Sequence, residues 1–117
     1  MTPRKLTGII STSPNPDTMA EFYRSVLGIP YQLNRHGNLP PHYECDLDGI
    51  HYAILKGPGQ PGAVVPSFHI DDLDAFLADL ERRDIRPLHK TIDLGGGPRV
   101  STIADPDGNH VRLFATR

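Results

Sequence analysis

The stretch Asp105-Pro106-Asp107-Gly108-Asn109-His110-Val111-Arg112-Leu113-Phe114 decides how this sequence is read. Asp, Pro and Gly in the first, second and fourth places suit a type I turn, where Asp accepts from the backbone and Pro presets φ. His110, Arg112 and Phe114 then alternate with Val111 and Leu113, so the strand leaving the turn has one polar and one apolar face. Upstream, Asp48-Gly49-Ile50-His51 repeats the Asp-Gly and the His at an offset of 107 minus 48, or 59 residues, and also leads into a strand. A period of that length argues for a duplicated unit, because each half is too small to bury its own sheet face.

The segments around the two turns fall in the same order. Residues 6–12 read as a strand, ended by Ser13-Pro14-Asn15-Pro16. The Asn15 side chain is expected to cap a helix that opens on Pro16 and Asp17. Met19, Phe22, Tyr23, Val26 and Leu27 form its buried stripe, Gly28 its left-handed stop, and Pro30 bars continuation. Strands over 31–34, 43–47 and 50–55 complete a first module. In the second half a strand over 63–70 precedes a helix that starts at Asp71-Asp72. That helix carries Leu73, Phe76, Leu77 and Leu80, with Arg82 and Arg83 against the negative end of its dipole. Strands over 88–94, Arg99–Ala104 and His110–Ala115 follow. The expectation is an α+β fold, one domain over 1–117, in which two βαβββ modules (1–56 and 63–117, linker 57–62) form a cup-shaped mixed sheet with helices outside.

Composition narrows the function. The chain has 117 residues, 38% hydrophobic and 22% charged, enough for a single core. Lys+Arg 12 against Asp+Glu 14 leaves a net charge of -2 with no basic stripe, which argues against nucleic acid as a partner. One cysteine, Cys45, excludes an internal disulfide and a thiolate-rich zinc site, and fits the cytoplasm. Apolar residues after Met1-Thr2-Pro3-Arg4-Lys5 are broken at Thr7, Gly8 and Ser11, so no secretory signal is read there, and no run is long enough to span a membrane.

Three stretches, Met19 through Gly28, Phe68-His69-Ile70-Asp71-Asp72-Leu73-Asp74-Ala75, and Asp105 through Phe114, resemble the vicinal oxygen chelate superfamily of glyoxalases, bleomycin-resistance proteins and extradiol dioxygenases. The resemblance implies a cavity between the two modules, commonly a homodimer, and in many members a divalent metal held by His and Glu. It also assigns the metal-ligand positions. They fall on Arg112 four residues after the turn glycine, on its counterpart Ala53, and near Thr7 and Val65 on the opening strands. These cannot make an ordinary ligand set, and Arg112 sets a permanent cation where the metal belongs.

Strand alternation places His110 and Arg112 on the cavity face, with His51 by the echo and Ser67 and His69 on the strand opening the second module; Arg99 is added as a second guanidinium. A guanidinium can make paired bonds to a carboxylate, and imidazoles donate or accept near neutral pH. The leading expectation is therefore a protein that binds a small polar or anionic molecule through His51, Ser67, His69, Arg99, His110 and Arg112, with no cofactor, similar to the drug-sequestering branch. The alternative is a lyase, isomerase or dioxygenase with a divalent metal on His51, His69 and His110, or with metal-free His acid/base chemistry. A partner-binding subunit with a vestigial cavity is a third reading. Gly95-Gly96-Gly97-Pro98 lacks the Lys and Ser/Thr of a phosphate loop. His36, His42 and His89 are read as solvated, Glu44 as a solvated edge carboxylate, and Cys45 as a buried, inert thiol.

Overall fold

The structure, a computed structural model, describes residues 7–35, 40–59 and 65–116. The chain divides into two compact units, Met1–Gln60 and Pro61–Arg117. The boundary lies within the segment read as a linker.

The first unit runs β1 (Gly8–Ser13), α1 (Pro16–Leu27), β2 (Gln32–Asn34), β3 (His42–Leu47) and β4 (Ile50–Lys56). Its sheet has the order β1-β4-β3-β2, with β1 parallel to β4 and the other pairs antiparallel. The second unit repeats this plan with β5 (Ser67–His69), α2 (Leu73–Arg82), β6 (Ile92–Asp93), β7 (Arg99–Ala104) and β8 (His110–Ala115), in the order β5-β8-β7-β6. Here β5 runs parallel to β8, and the rest are antiparallel. Each unit is thus a βαβββ module, and the fold class is α+β.

Local chemistry sets the helix bounds. Pro16 opens α1 and Asp17 sits in its first turn, as read from sequence. Asn15 occupies the N-cap position, but its side chain makes no cap bond; instead its backbone N–H donates to Ser13 Oγ at 3.0 Å. Gly28 closes the helix at φ 69, a left-handed value that glycine reaches without a Cβ clash. The α2 cap is the side-chain kind, with Asp72 accepting from the Ala75 N–H at 3.0 Å.

Two strands are shorter than the sequence suggests. β5 begins only at Ser67: Pro66 can offer its carbonyl to the Arg112 N–H but has no N–H of its own to continue the ladder. Residues 63–64, the start of the expected strand over 63–70, lie outside the described residues. Of the expected strand over 88–94 only Ile92–Asp93 forms a strand; outside it the Leu88 N–H still donates to the Thr102 carbonyl at 2.8 Å, and the His89 ring meets the Lys90 carbonyl and the Thr102 hydroxyl.

Most of the buried apolar side chains lie on the helix-covered face of each sheet, with Ala53 and Val100 buried on the other. α1 packs on β4, β3 and β1, and buries Met19, Ala20, Tyr23 and Val26. α2 packs on β8 and buries Leu73 and Leu80. Val111, Leu113 and Ala115 are fully buried, while His110 and Arg112 between them are exposed, the alternation expected of a strand with one covered face. The other face of each sheet carries the polar groups.

Candidate functional site

In the second unit, strand register assigns the faces. Arg99 is level with Ala115 and donates from Nη1 to Asp74 Oδ1 of α2 at 2.9 Å, which identifies the α2 side. Arg112, level with Thr102 on β7 and Ser67 on β5, lies on the opposite, helix-free side. Three neighbouring strands thus present hydroxyl, guanidinium and hydroxyl in one row, with strands about 4.8 Å apart. The next row holds His69, Phe114 and Val100, and His110 stands beyond with Ala104. The His69 ring lies 6.5 Å from that of Phe114, with Nδ1 3.5 Å from Asp71.

The expected group is therefore brought together only in part. Ser67, His69, His110 and Arg112 share a face of one sheet, whereas Arg99 stands on the reverse, where Asp74 takes up its guanidinium. The reason is strand parity: Arg99 pairs with Ala115, an odd number of residues from Arg112. His51 belongs to the first unit's sheet.

Sequence reasoning overlooked Thr102 and read His89 only as solvated. His89 is exposed rather than buried, yet it is not simply solvated. Its Nδ1 donates to the Lys90 carbonyl at 2.7 Å, which leaves Nε2 to accept from the Thr102 hydroxyl at 2.8 Å. Arg112 differs from Arg24, Arg82, Arg83, Arg86 and Arg99, each of which has an Asp or Glu within ion-pair distance. Among the described residues no carboxylate neutralises it.

The first unit has its own polar cluster. Tyr43 Oη reaches Asp17 of α1 and the Arg24 guanidinium lies over the Tyr43 ring, so the Tyr43 side of the sheet is the covered one. His42, Glu44 and Asp46 on β3 therefore stand on the free side with His51, which is level with Asp46. Glu44 Oε1 accepts from Asn34 Nδ2 at 2.6 Å, and Oε2 meets His42 Nε2 at 3.1 Å and His51 Nε2 at 3.4 Å. His51 Nδ1 lies 3.0 Å from Asp46 Oδ1. The Pro40 carbonyl at Nδ1, and secondarily Glu44, hold the His42 pKa above its ordinary value against the opposing effect of burial. A cleft of about 430 Å³ opens beside this cluster, lined by Pro30, Gln32, Asn34, Glu44, Cys45, Asp46 and His51.

Glu44 is thus a held carboxylate, not a solvated edge one. The signal was present: a two-residue turn at Asp48-Gly49, both with positive φ, pairs Leu47 with Ile50 and fixes Glu44 opposite Ala53. Cys45, by the same register, points to the covered side with Tyr52, and burial and the Asp46 charge push its thiol up. That is the behaviour of an unreactive thiol.

The sequence profile of the glyoxalase, bleomycin resistance protein and dioxygenase superfamily matches residues 8–113. The chain belongs to this superfamily. Solved structures agree on the fold of these glyoxalase-family proteins: lactoylglutathione lyase from Agrobacterium tumefaciens is 20% identical with a TM-score of 0.73, covering 98% of this chain and 96% of that one. A glyoxalase/bleomycin resistance protein/dioxygenase from Nocardioides is 17% identical at a TM-score of 0.69, covering 98% and 85%. A virulence protein from Salmonella typhimurium is 15% identical at 0.76, covering 98% of each chain. No curated protein sequence matches the chain.

Glyoxalase-superfamily membership raises the question of a divalent metal. The residues at the superfamily's ligand positions do not fit one: Ala53 is a buried methyl group, Val65 is apolar, and Arg112 is a cation. Among the described residues no group of three or more His, Cys, Asp or Glu side chains is arranged to hold an ion. No described helix is long and apolar enough to cross a membrane.

Proposed function

We propose that this glyoxalase-superfamily protein binds a small anionic or polar molecule on the helix-free face of its second sheet, without a metal. The observation that carries the reading is Arg112: an exposed guanidinium with no acidic partner among the described residues, level with the hydroxyls of Ser67 and Thr102. Such a row suits a carboxylate or phosphate-like group, because the guanidinium offers two parallel N–H donors and the Ser67 hydroxyl can donate a further bond. His69 and His110 extend the polar surface, and Phe114 gives the ligand an apolar floor. His89 holds the Thr102 hydroxyl hydrogen, so Thr102 meets the ligand chiefly as an acceptor.

Nothing in this arrangement requires turnover, and sequestration of the ligand is the activity we assign. The reading carries with it the homodimeric state common in the superfamily, supported by exposed Ile10, Ile92 and Leu94, and a cytoplasmic setting, supported by the single thiol. A panel of small carboxylates and phosphate esters tested by thermal shift gives the first check. Compounds that stabilise the wild type should lose their effect in Arg112→Ala, and equal stabilisation of both proteins contradicts the assignment.

A second reading, acid/base chemistry at a histidine without metal, is favoured by the arrangement around His51, whose two ring nitrogens each face a carboxylate.

A further inference from the structure

The anion-binding reading leaves unused the cleft of the first unit and the cluster on its wall. Asp46, when ionised, can only accept, so the 3.0 Å contact at His51 Nδ1 fixes the hydrogen on that nitrogen. In the neutral ring Nε2 then carries the lone pair. Nε2 faces Glu44 Oε2 at 3.4 Å, a longer contact than the 3.0 Å between Nδ1 and Asp46. Glu44 is held by Asn34 and His42, so its negative charge stays beside Nε2 whatever His51 does.

Accessibility separates the members. The His51 side chain is 41% exposed, against 18% for Glu44 and 8% for His42. On β1 the residue level with His51 is Gly8, which brings no side chain to cover the ring. Asp46, Glu44 and His42 are the charged or titratable groups facing this cluster from β3; the register turns the Cys45 side chain to the other face, and among the described residues no Lys or Arg lines the cleft.

We propose that His51 is the general base of a second small-molecule site in the first unit, with Asp46 orienting its ring and Glu44 stabilising the imidazolium. A hydroxyl in the cleft gives its proton to Nε2 and keeps the electron pair. The new imidazolium is flanked by a carboxylate at each nitrogen, and return of the proton restores the starting state. The site takes a neutral, hydroxyl-bearing molecule. The Gln32 and Asn34 amides can bond it, whereas an anion is repelled by Glu44 and Asp46. This ligand differs from that of the second sheet, so either proposal can fail while the other stands. Asp46 and Glu44 are positioning residues, since they act through His51.

Diethyl pyrocarbonate, itself small and neutral, is the probe: the imidazole nitrogen attacks its carbonyl and ethyl carbonate leaves. Mass spectrometry of the full chain gives the rate at each histidine across about pH 5.5 to 8.5. At the alkaline plateau His51 is expected to react roughly fivefold faster than His69, whose side chain is more exposed at 53%. Asp46→Asn should lower the His51 plateau by about fivefold, and Asp46→Glu, which keeps a carboxylate there, should restore part of the loss. Asp46 is 80% exposed, so this variant keeps the fold. A His51 rate no greater than that of His69, or a plateau that Asp46→Asn leaves unchanged, overturns the assignment.

Discussion

Arg99 and Asp74 meet across 2.9 Å on the α2 side of the second sheet, and this contact separates the two arginines of the β7–β8 hairpin into different roles. Arg99 draws the Asp74 carboxyl below its usual range through a hydrogen bond and its charge, and is itself held more firmly in the charged state. Arg112, on the reverse face, has no such partner among the described residues.

Arg99→Met is accordingly expected to leave ligand binding intact. Because the pair lies at the surface, where solvent screens it, its loss should cost little stability. The lowered Asp74 pKa means that this contribution exists above the ordinary carboxylate range and fades as pH falls. Urea unfolding near neutral pH and again in acid checks it: the wild type and the variant should differ only in the first.

The His42–Glu44 contact has the opposite sign. A histidine whose folded pKa is raised stabilises fully below its ordinary value of 6.5, and the contribution is lost as pH rises through the folded value. Glu44→Gln should therefore lower the melting temperature in mildly acidic buffer and have a smaller effect in mildly alkaline buffer. A loss that grows with pH would show that His42 is not the group responsible.

Ser101 is fully buried on the α2 side, level with Leu113, and its hydroxyl has no hydrogen-bond partner among the described residues. Burying an unpaired hydroxyl costs stability, so Ser101→Ala should be neutral or stabilising by up to about 1 kcal/mol. Leu113→Ala beside it should instead cost about 2–5 kcal/mol by opening a cavity. Equilibrium urea unfolding of the two variants tests both signs.

The β7–β8 hairpin is readable to the residue because alternation and turn chemistry agree: Arg99–Ala104 and His110–Ala115 form as their pattern requires. The echo between the Asp-Gly sequences marks equivalent hairpins but not equivalent turns. Asp48 and Gly49 make a two-residue turn, whereas Asp105 spans a longer loop and accepts from the Asp107 and Asn109 N–H groups. The β5 and β6 strands are less legible: Pro66 has no N–H with which to extend β5, and β6 pairs over only Ile92–Asp93, a length that periodicity does not encode. Within the site, Arg112 follows from its distance to the Asp-Gly turn, and Arg99 is misplaced when the parity between β7 and β8 is left open. His89 and Thr102 lie thirteen residues apart and meet only because a loop folds back, which no local pattern reports.

Isothermal titration of a stabilising carboxylate or phosphate ester into the wild type and Arg112→Ala, each treated with chelator, addresses the central claim most directly. The account predicts that chelation leaves wild-type affinity unchanged and that the substitution weakens it by about tenfold or more, as for the loss of a charge-assisted pair. Affinity that disappears with the chelated metal, or survives in Arg112→Ala, would contradict it.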